Sequence, residues 1–238
     1  MNADTLAAVL WDMDGTLVDT EPLWLRAELA MLDRFGIEFT QELRDSLVGS
    51  GLSQAAERFR ALGVSMTVDE IVAEWVAEVS RGISAGEFEW RPGARELLDS
   101  LRDSGVPCAL VTMSTRSLAD SIVALLPSGA FTAVIAGDEV AHEKPHPEPY
   151  LLGAAALGVP IGRCVALEDS PTGLRSASTA GAVAIGIPNL LSLDTAPSHD
   201  IVHTLAGIDA HALAQRYSEL SGEDPRPRTE RTPQEARP

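Results

Sequence analysis

Asp12 and Asp14 close a short apolar run, Leu6 to Trp11, and are followed at once by Gly15 and Thr16. Carboxylates in this setting suit three tasks: nucleophilic attack, proton transfer and the holding of a hard cation. Both can address a common ion if the chain turns where the strand ends, and Gly15 permits that turn. The same residues also fit a plain turn carrying solvated acids, since Asp-Gly is a common turn dipeptide.

Three further stretches carry polar groups where apolar runs end. Leu110-Val111-Thr112 delivers a hydroxyl, followed by Met113 and Ser114. Lys144-Pro145 follows Gly137-Asp138 and leads through prolines 145, 147 and 149 into a helical pattern. Leu167-Glu168-Asp169-Ser170-Pro171 delivers two acids, with Ser170 and Pro171 suited to cap and start the next helix. Each alone is weak, because Thr112 also reads as a strand-end turn residue and Glu168/Asp169 as a solvated pair. Together they equip every strand end that would face one site.

The elements that must position these groups alternate. Strands are predicted at Leu6 to Trp11, Pro107 to Thr112, Thr132 to Ala136, Arg163 to Leu167 and Ala182 to Ile187. Helical patterns lie at Gly93 to Ser104, Ser117 to Leu126, Glu148 to Leu157 and Pro171 to Ala180. This order indicates an α/β fold, a doubly wound parallel sheet of Rossmann-like form whose ligands collect at the carboxyl ends of the strands. Between Asp14 and Arg91 no strand is predicted, only amphipathic helices at Pro22 to Phe35, Gln41 to Leu47, Ser53 to Leu62 and Val68 to Ile83. A connection this long is expected to be an inserted helical cap, placed as a lid over the Asp12/Asp14 loop. The predicted organisation is therefore a core of residues 1–17 and 91–221, an all-helical cap of residues 18–90, and a disordered tail of residues 222–238, rich in Pro, Arg, Glu and Thr.

Composition bounds the partners. The formal charge of −17 disfavours nucleic acid and anionic membrane, which need clustered cations. A phosphorylated substrate would then require a local positive charge. Lys144 is the only lysine in a chain that otherwise uses arginine, so its identity calls for a reason. Cys108 and Cys164 sit beside apolar runs and read as buried reduced thiols. With no signal-like N-terminus and no apolar run long enough for a membrane span, a cytoplasmic protein, monomeric or weakly dimeric, is expected.

In these motifs the chain resembles the haloacid dehalogenase (HAD) superfamily of phosphohydrolases, in the subgroup of beta-phosphoglucomutase and small sugar-phosphate phosphatases. The likeness runs from Leu6 to about Gly186, through Asp12-Met-Asp14-Gly15-Thr16, Val111-Thr112, Lys144-Pro145-x-Pro147 and Glu168-Asp169-Ser170-x-x-Gly173. It implies Asp12 as nucleophile forming an aspartyl phosphate, and Asp14 as acid and then base. Thr112, Lys144 and backbone N–H groups near Met113 and Met13 would hold the phosphoryl oxygens. Mg²⁺ would be held by Asp12, the backbone carbonyl of Asp14 and Asp169, with Glu168 as a ligand or behind one. Physics agrees: clustered carboxylates need a cation between them, an all-oxygen set suits Mg²⁺, and a compact ammonium fits where a planar guanidinium would not.

The cap is expected to set the substrate, a small phosphorylated metabolite, with Glu21, Trp24, Gly49 and Leu52 as candidate contacts. Trp24 and Leu52 equally fit the cap's own core. Beta-phosphoglucomutase carries histidine where Trp24 stands and a phosphate-gripping arginine where Leu52 stands. The departures favour a phosphatase acting on one phosphate over a sugar-phosphate mutase. A non-catalytic binding or regulatory protein on the same fold is the alternative of another class, against which Asp12 and Asp14 are both intact. A dehalogenase is disfavoured, since that branch works without Mg²⁺ and lacks the second acid.

Overall fold

A computed structural model describes residues 5–47, 51–227 and 229. The chain divides into two compact units, residues 1–19 with 90–238, and residues 20–89.

The first unit is built on a six-stranded sheet. Its members are β1 (Ala8–Trp11), β4 (Cys108–Val111), β5 (Ala133–Ile135), β6 (Cys164–Glu168), β7 (Val183–Gly186) and β8 (Asp200–Ile201). The order is β5-β4-β1-β6-β7-β8 and every pairing is parallel. Such strands are buried on both faces, which is why β1, β4, β6 and β7 are buried throughout and read as unbroken apolar runs. The helices are α5 (Ala94–Asp103), α6 (Arg116–Val123), α7 (Glu148–Ala156), α8 (Pro171–Ala180) and α9 (Ala210–Leu220). Leu10, Val111, Ala166 and Ala184 from the strands meet Tyr150, Ala154, Leu174 and Ala177 from α7 and α8 in one apolar cluster.

Register decides where the site lies. Trp11 pairs with Leu110 on one side and Leu167 on the other, so Asp12 leaves the sheet level with Val111 and Glu168. The Asp12 N–H still donates to the Leu167 carbonyl at 3.0 Å. The sheet grows outward from β1 in both directions, and a crevice at such a switch point is where open α/β sheets take ligands.

The second unit contains α1 (Glu21–Arg34), α2 (Gln41–Leu47), α3 (Leu52–Ala61) and α4 (Val68–Ser84). Ala27, Met31, Phe59, Ile71 and Trp75 form its core, with Phe59 and Trp75 edge to face at 4.7 Å. Thr67 and Glu70 close a capping box at the start of α4. The inserted helices thus follow the predicted pattern, but the absence of strands between Asp14 and Arg91 is corrected. Val18–Asp19 (β2) and Glu89–Trp90 (β3) pair as a two-stranded ribbon, each too short to leave a period in the sequence.

Strand β8 and helix α9 are further elements that the sequence reading did not assign. Ser198 and Arg226 exchange backbone hydrogen bonds in an antiparallel bridge, so the first residues past 222 run against the core unit. Both cysteines are buried free thiols, each pushed up to about 12 by burial. No helix of the described residues is long and apolar enough to cross a membrane.

Candidate active site

Asp12 sits at the mouth of β1 and is 8% exposed. The backbone after it folds tightly: Gly15 N–H donates to Val18 O at 2.7 Å, and Leu17 and Val18 donate back to Met13 O. Gly15 makes this possible at φ +85°, and a Cβ there would fall 1.9 Å from Asp169 Oδ2. The Asp14–Gly15 turn and the Asp169 carboxylate are therefore pressed together.

Lys144 reaches the site from the loop before α7, its side chain 4% exposed. Its Nζ donates to Asp12 Oδ1 at 2.7 Å, Glu168 Oε1 at 2.7 Å and the Val111 carbonyl at 2.9 Å. Three acceptors for three ammonium protons leave no room for the flat fork of an arginine. Burial alone would depress the ammonium, but the flanking carboxylates of Asp12 and Glu168 outweigh it and hold the group above its ordinary range. Tyr150 completes the arrangement: its hydroxyl donates to Glu168 Oε1 at 2.7 Å, and its ring lies 5.0 Å from the Lys144 Nζ.

Glu168 is fully buried and its other oxygen is taken too, accepting from Ser170 N–H at 3.2 Å and Ser170 Oγ at 3.0 Å. Ser170 also caps α8 through Gly173 N–H, with Pro171 at the first helical position, as its sequence led one to expect. Gly173 has a steric reason to be glycine, because a Cβ there would lie 1.8 Å from Glu168 Oε1.

Asp14 is held differently. Its Oδ2 accepts from Ser114 Oγ at 2.8 Å, with Thr112 Oγ1 at 3.4 Å. Thr112 is buried, and its hydroxyl accepts the Ser114 N–H at 3.0 Å. Met113 turns its sulfur toward the Lys144 N–H at 3.3 Å, so only its backbone is available to a ligand here.

Asp12 carries the electrostatic signature of the site. Burial pushes its carboxyl up to about 7; the charge of Glu168 adds to this, Lys144 opposes it, and Asp14 adds a smaller push. Its Oδ2 is buried and has no hydrogen-bond partner among the described residues, a costly condition for a carboxylate. Oxygen donors of Asp12, Glu168 and Asp169 lie within 4.8 Å of one another. Hard oxygen donors from three acidic residues crowded at one point fit a divalent cation of the Mg²⁺ kind.

The six core residues singled out in the sequence, Asp12, Asp14, Thr112, Lys144, Glu168 and Asp169, thus converge on one end of the sheet. Sequence reasoning missed Tyr150, which reads as an ordinary core aromatic of α7, and it noted Ser114 without a role. It also missed Arg91 and Asn189, which are hydrogen-bonded at 2.9 Å. Asn189 Nδ2 is buried without a partner among the described residues, and lies 3.1 Å from where a Gly15 Cβ would be. Of the cap candidates, Glu21 opens α1 exposed, Trp24 packs partly buried on the helical unit's core, and Leu52 begins α3 half-buried. Gly49 lies outside the described residues.

Comparison with known proteins identifies the family. Residues 9–187 match the family model of haloacid dehalogenase-like hydrolases. The chain is 34% identical over 187 residues to protein CbbY of Rhodobacter capsulatus, covering 74% of this chain and 82% of that one. It is 30% identical over 204 residues to hexitol phosphatase B of Escherichia coli, covering 77% and 84%. Among solved structures, CbbY from Rhodobacter sphaeroides in complex with xylulose-(1,5)bisphosphate superposes with a TM-score of 0.77 at 27% identity, covering 87% of this chain and 99% of the other. The chain belongs to the haloacid dehalogenase-like hydrolase family, as a phosphoric monoester hydrolase of its sugar-phosphate phosphatase branch.

Proposed function

We propose that the chain is a Mg²⁺-dependent phosphatase that hydrolyses a small sugar phosphate, or a similar metabolite with one phosphate, through an aspartyl phosphate on Asp12. The observation that carries this reading is the division of the Asp12 carboxylate. One oxygen is clamped by Lys144 at 2.7 Å, while the other is buried and without a partner among the described residues. A carboxylate fixed on one side and bare on the other is oriented for attack.

Asp12 Oδ2 attacks phosphorus, and the bond from phosphorus to the ester oxygen breaks. Asp14, held by Ser114, gives its proton to the leaving oxygen. The same Asp14 carboxylate then takes a proton from water as the water attacks phosphorus, the Asp12–phosphate bond breaks, and inorganic phosphate leaves. Thr112 and the backbone N–H groups of the Met13 and Met113 turns hold the phosphoryl oxygens as charge spreads over them, and the Lys144 ammonium, its three protons already placed on Asp12, Glu168 and the Val111 carbonyl, supplies positive charge beside them. Asp12, Asp169 and the Asp14 carbonyl would hold Mg²⁺, which when bound supplies charge against the phosphate. Glu168 is saturated by Lys144, Tyr150 and Ser170, so its role is to hold Lys144 in place.

The relatives support a sugar phosphate, and Leu52 in place of a phosphate-gripping arginine supports a single phosphate. The acidic charge supports a small metabolite as partner over nucleic acid or an anionic membrane, and a cytoplasmic monomer or weak dimer belongs to the same proposal.

Phosphate release should be measured at saturating Mg²⁺ across sugar phosphates, nucleotides and glycolate phosphate, in wild type and Asp12→Asn. Sugar monophosphates should turn over best, and the substitution should lower kcat by at least ~10⁴-fold, as expected when a nucleophile is lost. Turnover that survives Asp12→Asn would overturn the mechanism. Isomerised sugar phosphate as the main product when a hexose bisphosphate is supplied would make the enzyme a mutase.

A further inference from the structure

The turn that delivers Lys144 also carries His142, His146 and Glu148. These three face outward, with side-chain exposures of 63%, 50% and 23%, and they take no part in the chemistry above. Their donor atoms lie within 4.8 Å of one another. Glu148 Oε2 is 2.7 Å from His142 Nδ1 and 3.9 Å from His146 Nδ1, so one carboxylate oxygen stands between two imidazoles. The rings stack with centroids 4.5 Å apart.

We propose that His142, His146 and Glu148 form a second metal site, selective for Zn²⁺ or a similar borderline transition ion over Mg²⁺. Two imidazoles and a carboxylate are a donor set that Zn²⁺ accepts with water in its fourth position, whereas Mg²⁺ prefers oxygen alone. Zinc ligands in a tetrahedron stand ~3.4 Å apart, given bonds of ~2.1 Å. Closing the present arrangement to that spacing requires the two rings, now stacked, to turn about their side-chain bonds so that both lone pairs meet at one point.

The carboxylate is already oriented from behind, since Glu148 Oε1 accepts the Ala141 N–H at 2.7 Å, the kind of support that fixes a metal ligand. His146 Nδ1 accepts the Glu148 N–H at 3.2 Å, a long contact that an ion could replace, and the 2.7 Å contact between His142 Nδ1 and Glu148 Oε2 is the one an ion must displace. Prolines at 145, 147 and 149 restrict the backbone between and beside the ligands, which lowers the entropy lost when an ion gathers them. Ser176 anchors the same turn from α8 by donating to the His146 carbonyl at 2.6 Å. The ion would span the turn on its outer side while Lys144 points inward to Asp12, stapling the segment that places the ammonium.

The test uses full-length protein stripped of metal and titrated with Zn²⁺ by calorimetry or equilibrium dialysis. Asp169→Asn serves as the background, so that binding at the carboxylate cluster is subtracted and failure of the phosphatase reading is seen separately. In that background one Zn²⁺ should still bind, and His142→Gln or His146→Gln should each weaken it by at least ~10-fold. Co²⁺ at the same site should show the visible absorption of nitrogen coordination, and Zn²⁺ should raise the Tm of Asp169→Asn but not of Asp169→Asn carrying His142→Gln and His146→Gln. The Mg²⁺-dependent activity of His142→Gln/His146→Gln in the otherwise wild-type chain reports that the fold is intact. Zn²⁺ affinity unchanged by both histidine substitutions, or a Co²⁺ spectrum of oxygen ligands only, would overturn the proposal.

Discussion

The two units of the chain hold their charges in opposite ways. In the core unit Lys144 is buried between Asp12 and Glu168, each contact 2.7 Å long. In the helical unit Arg26 pairs with Glu87 and Arg34 with Glu74, every one of these side chains at least 40% exposed. Taking ions out of water costs several kcal/mol each, whereas an exposed pair changes stability by ~1 kcal/mol or less. The helical unit is therefore held by its apolar core of Met31, Phe59, Ile71 and Trp75, and its charges keep it in solution. The core unit keeps its most deeply buried ion pairs where a nucleophile and its counter-charge are required, while the Asp200–Arg216 pair, with Arg216 31% exposed, lies outside the site.

Removing the counter-charge should give the largest effect on this contrast. Lys144→Met leaves two carboxylates buried and facing one another without a cation. A loss of ~3–5 kcal/mol in stability at neutral pH is expected, as when one member of a buried pair is deleted. Activity should fall by ~10²–10³-fold, the range for loss of a preorganised group that balances developing charge. Chemical denaturation at acidic and neutral pH checks the cause: the deficit should shrink in acid, where Asp12 protonates. Lys144→Arg should fail to restore activity, because the three acceptors around Nζ are arranged for an ammonium.

The next effect is in pH. Asp12 is raised from the ordinary 3.8 to about 7, chiefly by burial and then by Glu168. A carboxyl whose pKa is higher folded than unfolded binds its proton more tightly in the folded state. Its contribution to stability is thus complete below the unfolded pKa and is lost as the pH rises through the folded one, over the window from about 4 to 7. Attack needs the ionised form, so kcat/KM should drop ~10-fold per pH unit below 7 when Mg²⁺ is scarce. Saturating Mg²⁺ should move that limb to lower pH, since a nearby cation favours the carboxylate. A limb that stays in place between low and high Mg²⁺ would separate Asp12 from the metal.

A smaller change probes the layer behind Lys144. Tyr150→Phe removes the hydroxyl that donates to Glu168 Oε1 at 2.7 Å and leaves the other donors to Glu168 in place. The cost should be ~1–3 kcal/mol, that of a hydrogen bond to a charged acceptor. Turnover should fall only several-fold, as Lys144 keeps its contacts with Asp12 and the Val111 carbonyl. Urea denaturation together with kcat on a sugar monophosphate reads both numbers.

How much of this was legible in the sequence follows from the range over which each feature is encoded. Buried parallel strands announce themselves as short apolar runs, and the polar residue that ends each one is local information. Asp12, Thr112 and Glu168 could therefore be placed at the carboxyl ends of β1, β4 and β6 before any coordinates. Lys144 stood out by composition. What stayed hidden depends on side chains meeting across the fold. Tyr150 lies 18 residues from Glu168, and Arg91 lies 98 from Asn189, with no pattern linking either pair. Gly173 looked like part of a motif, but its reason, a Cβ that would collide with Glu168, exists only in three dimensions. β2, β3 and β8 are two residues each, shorter than any period that sequence can show.

The smallest expected effect sits in the helical unit and tests the other half of the contrast. Arg34 and Glu74 form the best surface pair available there, with Nη1 to Oε1 at 2.9 Å and Nη2 to Oε2 at 2.9 Å. The Arg34 guanidinium also reaches Met66 Sδ at 3.3 Å and lies 5.2 Å from the Phe35 ring centroid. If geometry decided stability, this bidentate pair would matter as much as Lys144. Exposure of about half of each side chain means that water solvates both partners before and after folding, and salt screens what remains. Arg34→Ala should therefore change unfolding free energy by no more than ~1 kcal/mol, with kcat unchanged and the small loss fading as salt is raised. A loss comparable to that of Lys144→Met would show that the helical unit, too, depends on charge for its fold.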